Sequence, residues 1–129
     1  MKDSLNYIKF LDLQYIVNRV VKQFNWKTDH AEETVRKYKN FLTLHLLYPE
    51  FKVVPTRAID VVWHEHILHT QKYTEDCRKI FGDYFHHHPT EDKKTESELH
   101  DSNYIMTARL YEKQFQEPYG QLFDITIWF

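Results

Sequence analysis

A single cysteine, Cys77, and two glycines, Gly82 and Gly120, are all that 129 residues hold of those types. One thiol builds no intrachain disulfide framework and no paired thiolate ligands of a structural zinc site, so a reducing, cytoplasmic setting is expected. No glycine-rich phosphate loop and no strand-turn-helix serine motif occur. Long apolar runs are missing too. The amino terminus, MKDSLNYIKF, lacks signal-peptide character, and no segment approaches the roughly 18 apolar residues that a bilayer span needs. Charge of one sign is absent: 17 Lys and Arg stand against 19 Asp and Glu, a formal −2. The basic residues are scattered rather than interleaved with aromatics on one face. Neither a membrane nor a nucleic-acid partner is expected.

What is present is aromatic. Phe, Trp and Tyr make up 16% of a chain that is 42% apolar overall, and each ring buries a large area, so a short chain can still fill one core. Residues 1–129 read as a single helical domain, a mainly α, compact bundle of about four helices with a short C-terminal strand or extended tail. Leu13, Ile16, Val17, Val20, Val21 and Phe24 recur at helical spacing and predict a first helix ending near Asn25. Asp29 with Glu32 has reciprocal-cap form, and Val35, Tyr38, Leu42, His45 and Leu46 carry a second helix to Pro49. The segment PEFKVVP predicts an extended connector or edge strand. A long third helix is expected from Thr56 to Phe81, stopped by Gly82, and the run TEDKKTES reads as a surface loop. Thr95 with Glu98 suits the cap of a fourth helix that carries Tyr104, Ala108, Tyr111 and Phe115 and stops before Pro118. Beyond Gly120 the period changes to two: Phe123, Ile125, Ile127 and Phe129 alternate with other residues, a strand pattern that needs a partner. That partner is either the Phe51–Val54 connector or the sheet edge of another protein.

The chemistry is concentrated between Asp60 and Pro89. Asp60 and His64 are four apart on one helix face, as a shared metal or an orienting hydrogen bond requires. The string HEHILH is not the zinc-protease motif, because the second histidine after Glu65 has the wrong spacing. His66, Tyr73 and Cys77 fall in the middle of the apolar face. His66, His69 and Tyr73, with Asp76, form a second candidate set. His86, His87 and His88 follow Gly82, and neutral imidazole is the commonest ligand of several transition metals. In a continuous helix His64 lies about 25 Å from Phe81 at 1.5 Å per residue, whereas the five steps back to His86 span at most about 17 Å. Either the helix breaks between His69 and Tyr73 and joins the two ends, or they work apart.

The phrases YPxxxxVPT (Tyr48–Thr56), IDxxWHxHILxTxxYxxDC (Ile59–Cys77), FG with a histidine pair before Pro89, and TxxLY (Thr107–Tyr111) resemble small bacterial proteins similar to plant glycine-rich domain-containing proteins. The resemblance covers a core of about residues 38–120. It implies a common helical domain and a shared polar cluster at Asp60, Trp63, His64, His66, Tyr73, Asp76, His86 and His87, but no reaction. That family usually reads FG where this chain has Phe115 and Gln116, and the tail 121–129 lies outside the resemblance.

Two functions are expected from these features. The first is a metal-binding domain, with Asp60, His64, His86 and His87 as ligands of zinc or ferrous iron. The alternative is a non-catalytic accessory protein that docks on a partner enzyme, one that modifies a peptide being an example, through its aromatic surface and Phe123, Ile125, Ile127 and Phe129.

Overall fold

The computed structural model describes residues 1–87 and 94–120, with only the backbone described from 94 to 101. Six helices make up this part: α1 (Lys2–Phe10), α2 (Gln14–Phe24), α3 (Thr28–Leu47), α4 (Arg57–Leu68), α5 (Thr70–Phe81) and α6 (Lys94–Phe115). The protein is mainly α, and no strand occurs among the described residues. The expected count of four is corrected to six for two reasons: a further helix, α1, with Ile8 buried, precedes the expected first one, and the long third helix is two helices. None of the helices is long and apolar enough to cross a membrane. His88, the side chains of Thr95 and Glu98, and the tail with Phe123, Ile125, Ile127 and Phe129 lie outside the described residues.

The spine is α3, whose 20 residues run for about 30 Å and pack against α1, α2, α4 and α6. Its buried face is Ala31, Thr34, Val35, Tyr38, Phe41, Leu42 and Leu44, a spacing of three and four that keeps one stripe inward. It begins at Thr28 without a side-chain cap, so the Asp29 and Glu32 cap does not form; the Asp29 carboxylate accepts from the His30 N–H instead. The α2 stripe behaves as its periodicity requires, with Ile16, Val17 and Val20 buried, except that Phe24 is exposed. Asn25 ends α2 in the left-handed region at φ 58°, which asparagine tolerates better than most side chains.

The connector after α3 is irregular and is not paired as a strand. Val53 and Val54 are buried, and the backbone of Val54 is used on both sides: its N–H donates to Thr107 Oγ1 at 3.0 Å and its carbonyl accepts from the Tyr119 hydroxyl at 2.6 Å. Side chains of α6 and of the segment after it thus do what a neighbouring strand would. Thr56 then caps α4, its Oγ1 accepting from the Ile59 N–H at 3.1 Å, a contribution of about 1 kcal/mol.

The break between α4 and α5 falls on His69, with φ −86° and ψ 71°. Neither proline nor glycine causes it. The His69 ring turns back so that Nδ1–H donates to the Glu65 carbonyl at 2.9 Å, satisfying one of the acceptors a helix end leaves open. The His69 carbonyl meanwhile accepts from the Tyr73 N–H at 2.9 Å and opens α5. Gly82 ends α5 at φ 78°, and an added Cβ there would meet nothing within 4 Å. Any cost of substitution is therefore backbone strain, about 1 kcal/mol. Helix α6 starts at Lys94, so the second half of TEDKKTES is helical rather than loop.

Candidate functional site

Folding at His69 brings side chains ten residues apart into contact twice. His66 Nε2–H donates to Asp76 Oδ2 at 2.8 Å, and Trp63 Nε1–H donates to the Tyr73 hydroxyl at 2.8 Å. In a continuous helix each pair would be about 15 Å apart. The two bonds lead to different places, one into the core and the other to the surface.

The inner network ties four helices. Tyr38 of α3 donates its hydroxyl proton to His66 Nδ1 at 2.7 Å, His66 of α4 donates to Asp76 of α5, and Tyr7 of α1 donates to the other Asp76 oxygen at 2.6 Å. The Nε2–H tautomer of His66 follows from this network, since a carboxylate only accepts. Burial, first, and then the bond to Asp76 raise the Tyr7 pKa; burial likewise keeps Tyr38 protonated far above its ordinary range. His66 is 1% exposed and both its nitrogens are engaged, so it has no lone pair to offer a metal while the network stands. Asp76 is likewise engaged at both oxygens. Cys77 is buried and its thiol is pushed up by that burial, the opposite of an activated nucleophile.

The outer network holds the segment after Gly82. The Tyr73 hydroxyl donates to the Phe85 carbonyl, and burial raises the Tyr73 pKa, keeping the hydroxyl a donor. The Phe85 ring stacks on His45 at 3.9 Å with an interplanar angle of 5° and on Trp63 at 4.7 Å, with Phe81 edge-on at 5.4 Å. Fixing Phe85 fixes its neighbours. His87 lies on Trp63 at 4.2 Å and its Nε2–H donates to Asp60 Oδ1, while His86 lies against Tyr84 at 4.7 Å. The Asp60 end and the histidine loop, too far apart in a continuous helix, thus meet because the helix breaks.

Between this loop and the connector is a cleft of about 390 Å³, a size suited to a small ligand or an inserted side chain. Its walls are His45, the 49–55 connector, Trp63 and Tyr84 to His87. Phe51 and Tyr84 remain exposed at it. His45 Nδ1 is buried with no hydrogen bond among the described residues, and desolvation lowers the His45 pKa.

Of the residues singled out from sequence, Asp60 and His87 are in contact, and His86 shares the cleft with His87. His64 is exposed one turn along from Asp60. The His69 ring takes no part in the His66 network and lies edge-on to Tyr15 at 4.8 Å. No group of three or more His, Cys, Asp and Glu is arranged to hold a metal ion among the described residues. Sequence reasoning missed the roles of His45 and Phe85; the only signal for His45 was its place on the α3 stripe, and none marked Phe85. It also missed that Glu65 is buried and paired with Arg19 at 3.0 Å.

Two proteins of Arabidopsis thaliana are similar to this chain over 92 residues, or 68% of it: glycine-rich domain-containing protein 1, at 30% identity, and glycine-rich domain-containing protein 2, at 32%. The chain spans only 11% and 12% of their lengths. No solved structure matches it. The UCP032817-like family profile matches residues 5–105, a stretch that includes most of α1, all of α2 to α5, the inner network and the cleft loop, and the chain belongs to that family.

Proposed function

We propose that this domain is a non-catalytic recognition module, and that the cleft between the 49–55 connector and the 84–87 loop receives an apolar or aromatic group presented by a protein partner. The observation that carries this reading is the division of labour between the two networks. Groups with catalytic potential in the interior, His66, Asp76 and Tyr73, are hydrogen-bonded within the protein. What faces the cleft is aromatic surface with imidazoles at its edge, and exposed Phe51 and Tyr84 beside it. Aromatic side chains at a concave surface are typical anchors of protein recognition. A unit that matches a small fraction of much longer plant proteins also suits a module better than a whole enzyme. The accessory role, docking on a peptide-modifying enzyme for example, falls within this reading.

The test compares capture of a defined partner by the wild-type chain, Phe51→Lys, and Thr74→Lys on exposed α5. Loss of capture with the first and retention with the second is expected. Equal capture by both variants excludes the cleft.

A second reading, metal binding, is favoured by the contact between Asp60 and His87, 27 residues apart in the chain. A carboxylate that fixes one imidazole nitrogen orients the other, which is how many metal-binding histidines are held. His64, one turn along α4 from Asp60, and His86, next to His87 in the chain, are the candidates to complete a zinc or ferrous iron site with this pair. Elemental analysis of protein purified without a histidine tag decides this. Below about a tenth of an equivalent of transition metal, with no thermal stabilisation on adding zinc or iron, the metal reading fails.

A further inference from the structure

A second cavity, larger than the histidine cleft, lies away from it. It is a groove of about 750 Å³ where the starts of α3 and α4 approach the segment after α6, and Trp26, Ala58, Ile59 and Val61 supply its apolar lining. We propose that residues 121–129 of this same chain occupy this groove, with Phe123, Ile125, Ile127 and Phe129 turned into it.

The first argument is where the chain arrives. Tyr119 is 1% exposed, packed on Tyr111 at 4.7 Å and hydrogen-bonded to Val54. Lys37 Nζ donates to the carbonyls of Pro118 at 2.9 Å and Tyr119 at 3.1 Å, pinning this segment to α3. The next residue, Gly120, lines the groove itself. The root of the nine-residue segment is therefore held at the wall of the cavity, and nine extended residues reach about 30 Å, ample to cross it.

The second argument is what those residues need. Four large apolar side chains at every second position present one apolar face when extended, with Asp124 and Thr126 on the other. Left uncovered, such a face is an association hazard. The other surface in this chain that could pair with it, the Phe51–Val54 connector, has both backbone groups of Val54 already bonded to Thr107 and Tyr119. The groove offers an apolar strip flanked by the charged Glu33, Arg36, Lys37, Arg57 and Glu117 rather than a strand edge, so it suits a segment with one apolar and one polar face, and it begins where the segment begins. Tethering raises the effective concentration of the segment at this site far above that of a free competitor.

Cysteine pairs in the full chain provide the test. Val61→Cys with Ile125→Cys is compared with Thr74→Cys with Ile125→Cys, Thr74 being on exposed α5. Native Cys77 is buried and stays out of exchange. Mild oxidation is expected to give a monomeric bridge in the first pair, several-fold faster than in the second and independent of protein concentration. Equal rates in the two pairs, no bridge, or disulfide dimers that vanish on dilution overturn the proposal; the last would place the segment on a second copy. Limited chymotrypsin digestion gives an independent reading without new thiols. Cleavage after Phe123 is expected to be several-fold faster in Val61→Glu than in the wild-type chain, and equal cleavage also overturns the proposal.

Discussion

His66 with Asp76 and His87 with Asp60 are the same chemical pair in two settings. The first is sealed in the core at 1% and 10% side-chain exposure, the second at the surface at 21% and 33%. The inner pair is completed by Tyr38 and Tyr7, so every imidazole nitrogen and carboxylate oxygen in it has a partner. Among the described residues the outer pair is completed by a stacked Trp63. Identical functional groups thus serve architecture in one place and remain available in the other, and burial decides which.

The largest effect that could break this comparison comes from His66→Ala. It leaves the Asp76 carboxylate and the Tyr38 hydroxyl buried without their shared partner, and removing one member of a buried pair costs about 3–5 kcal/mol. Urea unfolding is expected to show a loss at the lower end of that range, because Tyr7 still serves Asp76. A loss under about 1 kcal/mol would mean that the inner network is not architectural. Tyr73→Phe comes next. It removes the bond to Phe85 and orphans the Trp63 indole, at about 1–2 kcal/mol, and amide exchange at residues 84–87 should accelerate, since the hydroxyl is what anchors that segment.

Much of the first comparison was legible in the sequence. Helical periodicity put His66, Tyr73 and Cys77 on the inward face because three- and four-residue spacing survives folding, and Thr56 and Gly82 marked helix ends by chemistry that acts locally. The break at His69 was legible only as one of two alternatives that length left open, since no proline or glycine announces it; a side chain caps a carbonyl four residues back there, which a histidine does only in the right tertiary setting. His45 and Phe85 were illegible for a different reason. Their stacking joins the end of α3 to a loop 40 residues later, and such a contact leaves no periodic trace.

The outer pair should respond weakly. His87→Ala is expected to cost about 1 kcal/mol or less, as for solvent-accessible polar pairs, measured by the same urea titration. A loss equal to that of His66→Ala would erase the distinction between the two pairs. It would make the loop histidine a structural element rather than part of a binding surface.

The smallest effect is one of pH. Desolvation holds the His45 pKa below its ordinary 6.5, so the folded protein resists a proton that the unfolded chain accepts. Stability rises with pH wherever the unfolded state binds more protons. The contribution of His45 is therefore fully present above about pH 6.5 and is lost as the pH falls below that value towards the folded pKa. His45→Phe keeps a ring to stack on Phe85 and removes the titrating nitrogen. Unfolding midpoints taken from pH 8 to pH 5 should show a constant difference between variant and wild type at the upper end. Below about pH 6.5 the difference should move in the variant's favour. A constant difference across the whole range would mean that the imidazole is as hydrated in the fold as outside it, and the cleft would then be an open wet surface rather than the apolar recess that recognition of an aromatic group requires.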